Sequence, residues 1–370
     1  MKRVLTAAIL IFLFALPVSA EQSVYYEQYS ASGVEEALDT LNGDTKDFLN
    51  SNGLTPENSE FVNNISAESV LSHIFNFFKS GIKNIIRDGA SMLAVVLITC
   101  GISAFSENKN DFKPAVFTGV LTVALISARS LWSVINASVS ALKGCSAFML
   151  SFTPAFAGIV TVSGMAATAV KSSALLIAAA QGLSMLCSYF ILPLIGGYLA
   201  VSICSGVSPF LNGIEIAGAI KKAAMFAEGL ILAVFTGVMS IQTAVNSAAD
   251  TVSLRTAKFL LGSGVPVAGT ALSEAASTVI SGIKLLKSTV GIWGVVAVAV
   301  IMLPILCELI SWRLVLNFVS AVSQMLGGNS ISSLLKSADT VLSLLVGLIL
   351  TVSATFIISL TVVVKAGGGG

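Results

Sequence analysis

Few residues in this chain are of a type and spacing that could do chemistry, and most of them lie inside apolar sequence. Glu308 and Arg313 interrupt a long apolar run, five positions apart. On a straight helix that spacing puts them on offset faces, so no direct pair is expected. An ionisable side chain inside a bilayer is costly and by default marks a pathway or a contact. The bland alternative is a polar loop end between two spans. Arg129 lies near one end of an apolar segment, where snorkelling to the headgroups competes with a functional role. Pro193 and Pro304 each follow a leucine in apolar sequence and resemble the broken helices of transporters. Ordinary span ends read the same way. Glu308, Arg313, Arg129, Pro193 and Pro304 are therefore the candidates for a conduit or a subunit contact.

Catalytic patterns are missing. The one histidine, His73, precludes most hydrolase triads, and no His-Glu-x-x-His, Gly-x-Ser-x-Gly or phosphate-cradling loop occurs. Asp250 and Asp339 fall at the edges of spans, so paired intramembrane aspartates are not expected. Cys100, Cys145, Cys187, Cys204 and Cys307 form no Cys-x-x-Cys pair and sit in apolar surroundings. They are expected to pack as small apolar residues. The reading is of a non-enzyme with no metal and no cofactor.

The elements that must position these residues follow from composition. The chain of 370 residues is 55% hydrophobic and 11% charged, against about 25% charged in soluble domains. It is expected to be an all-α, polytopic membrane protein with six to eight transmembrane helices. Residues 21–88 carry eleven acidic and four basic side chains, whereas residues 89–370 carry eight acidic and fourteen basic ones. An acidic head on a mildly basic membrane body argues against nucleic acid as a partner and for a lipid bilayer.

Lys2 and Arg3, the apolar run Val4–Leu16 and Pro17-Val18-Ser19-Ala20 form the three-part pattern of a signal peptide over residues 1–20, cleaved after Ala20. Residues 21–66 read as a small acidic extracytoplasmic segment. A helix starts near Val34, turns fall at Asn42-Gly43 and Asn52-Gly53, and Pro56 could open another helix. This segment holds too little apolar material for a core of its own. Residues 67–88 are basic and amphipathic, which predicts a helix lying in the membrane interface, and residues 21–88 as a whole are expected outside the cytoplasm.

The membrane domain covers 89–365, followed by the glycine tail 366–370. Expected spans are 89–105, 114–135, 172–192, 228–245, 288–306 and 340–364. Residues 136–171 suit an interfacial or re-entrant pair, and 194–210 either a re-entrant segment or a crossing. Gly229-Leu230-Ile231-Leu232 recurs as Gly347-Leu348-Ile349-Leu350, Pro154 as Pro266, and Leu192-Pro193 as Leu303-Pro304, at offsets of roughly 110 residues. Either the chain contains two repeats, 150–247 and 262–365, or apolar helices built from few residue types match by chance. The basic residues leave orientation open. Lys221 and Lys222 inside require two crossings per repeat; Arg255 to Lys287 inside require three.

Several stretches resemble one family. They are Gly89-Ala90-Ser91-Met92-Leu93, Thr153-Pro154-Ala155-Phe156-Ala157-Gly158, Leu192-Pro193, Lys221-Lys222 through Gly229, Arg255-Thr256-Ala257-Lys258-Phe259 and Pro266-Val267-Ala268-Gly269. With the signal, the acidic head and the glycine-rich body, they resemble stage III sporulation protein AE of endospore-forming bacteria over nearly the whole chain. The resemblance implies a multi-pass protein of the mother-cell membrane around the forespore. It further implies membership, with other membrane subunits, of a secretion-like channel complex needed for forespore development. The family's motifs are structural, and no catalytic residue carries over. The alternative is a stand-alone secondary transporter built from the two repeats.

Overall fold

A computed structural model describes residues 25–57, 67–104, 113–207, 215–235 with 237, 238 and 241, and 269–365. The signal segment 1–20, the loop 105–112, the Arg255 region and the glycine tail lie outside them. Every regular element among the described residues is helical. Three short helices form the head: α1 over residues 25–30, α2 Val34–Asp39 and α3 Gly43–Ser51. The body follows with α4 Ala67–Ala104, α5 Lys113–Val162, α6 Ala166–Leu186, α7 Leu192–Val207, α8 over residues 215–235, α9 Gly269–Met325 and α10 Asn329–Lys365.

The head folds as its sequence dictates locally. Asn42 caps α3 by accepting the Thr45 N–H at 3.2 Å, and Gly53 closes that helix at φ 62°. The turn expected at Asn42-Gly43 is thus the start of a helix. Val34, Ala37, Leu49 and Leu54 are fully buried, but in a cluster shared with the body rather than in a separate core. Three short helices cannot enclose that much apolar surface alone, so the head lies against α5 and α9.

The chain reverses at two tight turns where glycine supplies positive φ. Gly164 (87°) joins α5 to α6, and Gly327 (79°) joins α9 to α10. The hairpin α9–α10 is the largest helix pair, and α4, α5 and α7 pack around it. Without water to drive burial between helices in lipid, close van der Waals contact must hold the bundle. One close approach joins α4 to α5, where a Cβ on Gly119 would overlap the Thr99 side chain. Lower in the bundle Phe148, Phe152 and Phe156 line one stripe of α5 at i, i+4 and i+8. Trp293 of α9 meets Phe148 and Phe152 at centroid distances of 5.5 and 5.7 Å. Gly294 admits Phe152, whose ring lies 2.7 Å from where a Cβ would stand.

Five helical stretches are long and apolar enough to cross a bilayer among the described residues: Ile82–Ser103, Val116–Val162, Ala166–Ser205, Ile283–Met325 and Asn329–Val364. This corrects the expected six to eight. The break expected after 135 is not formed, since α5 runs on to Val162 before the Gly164 turn, and those expected within 172–210 and after Leu306 are not formed either. Instead a π turn, Cys187–Ile191, links α6 to α7, and the Leu192 N–H bonds to Cys187 O. One wider turn accommodates Pro193 without ending the helix. Pro154 and Pro304 likewise sit inside continuous helices. A proline removes one hydrogen bond, which neighbouring helices can offset, so the chain need not break there. The predicted interfacial helix 67–88 continues into the first span as one helix, α4. The expected span 228–245 is only partly among the described residues.

Candidate functional site

The body's charged residues separate into levels along the bundle. At one level Arg313 Nε donates to Asp339 Oδ1 at 2.8 Å, and Ser130 Oγ of α5 donates to Asp88 Oδ2 of α4 at 3.0 Å. At another, buried Lys287 of α9 donates to Met165 Sδ at 3.2 Å, beside the α5–α6 turn. About 39 Å of helix separates Lys287 from Arg313, slightly more than the hydrocarbon thickness of roughly 30 Å. Between these levels α9 carries only Glu308, α5 only Lys143, and α6, α7 and α10 no charge beyond Lys171 at the start of α6.

Glu308 is half-buried in the wall of a cavity of about 430 Å³ between the head and the body. The head contributes Thr40, Asn42, Asp44 and Thr45. The body contributes Ala137, Ser140 and Gly144 from α5, and Ile301, Pro304 and Glu308 from α9. The lining therefore offers two carboxylates, three hydroxyls and an amide, with no cation. Pro304 adds an acceptor to this region, because it supplies no N–H to the carbonyl of Val300. No ion pair to Glu308 forms among the described residues. Such a cavity suits water and cations rather than anions.

The structure brings Glu308 and Pro304 together and disperses the other candidates. Arg313 turns to Asp339 on the neighbouring helix. Arg129 is exposed on α5, the position expected of a residue that snorkels. Pro193 is exposed beside the π turn. Among the described residues no group of three or more His, Cys, Asp or Glu could hold a metal ion.

Sequence reasoning missed Glu228. Its side chain on α8 is 6% exposed, and Oε1 has no hydrogen-bond partner. Its Oε2 lies 2.5 Å from the position of a Cβ on Gly347, so the carboxylate occupies the gap that this glycine leaves in α10. Glu228 was visible as the single acid opening an apolar run, but its burial depends on a residue more than a hundred positions away. The head's share of the Glu308 cavity was missed for the same reason.

Comparison with known proteins gives the family. Residues 59–367 match the family described as Stage III sporulation protein AE. The chain is similar to the stage III sporulation protein AE of Bacillus subtilis (strain 168), with 26% identity over 326 residues, covering 85% of this chain and 82% of that protein. No solved structure matches. The protein is a multi-pass, all-α membrane protein, and it belongs to the stage III sporulation protein AE family.

Proposed function

We propose that this chain is a membrane subunit of a secretion-like channel complex that joins mother cell and forespore and supports forespore development. One observation carries the reading. The acidic head packs beside residues 301–308 of α9 and 137–144 of α5, between the two charged levels that bracket a bilayer's thickness. Its Glu35, Glu36, Asp39, Asp44 and Asp47 are all exposed, and carboxylates are not left bare in hydrocarbon. At comparable depth α6, the π turn after it and α8 expose Met185, Tyr189, Phe190, Phe226 and Leu230, which suit lipid. A chain that needs water on one side and lipid on another, at one depth, fits the wall of an aqueous conduit made with other subunits. The head would then be extracytoplasmic, in continuity with the space between the two membranes, and Glu308 would face that water. No reaction and no cofactor is part of this reading.

Cysteine accessibility in sporulating cells tests it. Single cysteines at Glu36 and Asp44 should react with a membrane-impermeant maleimide, and cysteines at Phe190 and Phe226 should not. Equal protection of all four would exclude water from the head side and remove the reading. Purification from the same cells should recover other sporulation proteins with this chain.

A second reading, a self-sufficient secondary transporter, draws on the recurring order of elements. A long helix with an internal proline precedes a helix carrying Gly-Leu-Ile-Leu twice, in α6–α8 and in α9–α10. Transport by the purified chain alone in liposomes would favour it over the channel subunit.

A further inference from the structure

A second cavity, of about 310 Å³, opens between α7, α8 and α10. Its lining contrasts with that of the Glu308 cavity. Ser202 and Ser205 of α7, Lys221 of α8, and Lys336, Ser337 and Thr340 of α10 converge on it, and no acid lines it. Two cations and several hydroxyls without an anion form an arrangement that lacks its counterpart.

Ser202 supplies an independent sign of a ligand site. It is 5% exposed, and its hydroxyl has no hydrogen-bond partner, as is also true of Ser205 Oγ. Elsewhere in the bundle buried hydroxyls donate to the carbonyl four residues earlier, as Ser138 and Thr355 do at 2.8 Å. A buried polar group left unpaired costs about 1–3 kcal/mol, so the two serines call for an acceptor. Lys336 gives one donor to Gln324 Oε1 at 3.2 Å and keeps others. Lys221 forms no ion pair among the described residues. The nearest acid along α10, Asp339, is engaged by Arg313.

Depth selects the ligand's chemistry. Lys336 and Thr340 flank Asp339, so the cavity lies at the level of the Arg313–Asp339 pair, one of the two charged levels at which headgroups would lie. Basic pockets between membrane helices at this depth take phosphate-bearing headgroups. We propose that the α7–α8–α10 cavity binds a phosphate group, whose oxygens accept from Ser202 and Ser205 and face the ammonium groups of Lys221 and Lys336. The group belongs either to an anionic phospholipid or to free phosphate. The site is separate from the Glu308 cavity and stands whether or not the chain borders a conduit.

Native mass spectrometry of the full chain in neutral detergent tests the site. Phosphatidylglycerol, phosphatidylcholine and inorganic phosphate are titrated separately. Wild-type protein should retain phosphatidylglycerol over phosphatidylcholine. Lys221→Gln with Lys336→Gln should lower that retention by about ten-fold or more. Ser202→Ala should lower it by a smaller factor, with the fold intact by circular dichroism. Lipid retained against millimolar phosphate identifies the headgroup as the source. Displacement by phosphate, with the same sensitivity to the variants, identifies the free anion. Equal retention of phosphatidylglycerol by wild type and the double lysine variant overturns the proposal. If the double variant does not fold, unchanged retention in both Lys221→Gln and Ser202→Ala overturns it.

Discussion

Arg313 of α9 holds Asp339 of α10 through Nε at 2.8 Å, with Nη2 reaching the second carboxylate oxygen at 3.4 Å. The pair ties the two arms of the α9–α10 hairpin together at a level where both charges remain partly in contact with solvent. Arg313 is thereby engaged by the neighbouring helix, while Glu308, five positions earlier, lines the cavity under the head.

That division predicts a charge-swap result. Arg313→Ala and Asp339→Ala should each lower stability by about 1–3 kcal/mol, between the values for exposed and buried pairs. Arg313→Asp combined with Asp339→Arg should recover at least half of the loss. The midpoint of thermal unfolding in detergent is the measurement, and a swap no better than the single variants would refute the pair's role.

The head makes a pH prediction. The Tyr25 hydroxyl donates to Pro56 O at 2.5 Å, and burial pushes its pKa from 10.0 up to about 12, with a hydrogen bond to Thr289 opposing the rise. The folded state thus holds the phenolic proton more tightly than the unfolded state. Its contribution is complete below pH 10 and is lost as pH rises towards 12. Tyr25→Phe should cost about 1 kcal/mol at neutral pH and flatten the decline of head stability across that alkaline window. Limited proteolysis of the head at graded pH reads both effects.

At the base of the bundle Trp293 is fully buried, and its Nε1 has no acceptor. Its value to the fold is the ring, packed against Phe148 and Phe152. Trp293→Ala should therefore cost about 3–5 kcal/mol, whereas Trp293→Phe, which deletes the unpaired N–H, should cost far less. A large loss in the phenylalanine variant would show that the N–H is satisfied after all. Chemical unfolding followed by far-ultraviolet circular dichroism separates the cases.

Close approach of α4 and α5 predicts a compensating pair. A Cβ on Gly119 meets the Thr99 Cγ2 and Cβ atoms at 2.6 and 2.9 Å and overlaps Oγ1 as well. Thr99 is β-branched and cannot swing away freely. Gly119→Ala should destabilise by about 1–3 kcal/mol. Adding Thr99→Ala, which removes two of the three opposing atoms, should restore part of the loss. Independent, additive effects in the thermal midpoint would mean that the helices separate without cost.

Much of the architecture could be read from local properties. Low charge and long apolar runs require helices in lipid, because unpaired backbone groups are too costly there. The start of α2 and the turn at Gly53 follow from residues within a few positions. The breaks expected at Pro193 and Pro304 were misjudged for a physical reason: a proline deletes one bond locally, but packing along the bundle decides whether the helix ends. The site was legible only in part. Glu308 stood out as a lone acid in apolar sequence, yet its cavity is completed by Thr40 to Thr45, which belong to a segment that looked too small to fold.

By itself, then, the sequence determined the solvent, the helical class and the separation of an acidic head from an apolar body. These follow from composition and from interactions within one turn of helix. Only the tertiary structure decided that Arg313 meets Asp339, that Glu228 fills the gap at Gly347, and that the head covers Glu308. Each of those depends on which side chains share a depth in the bundle, and long continuous helices bring together residues that no spacing along the chain relates.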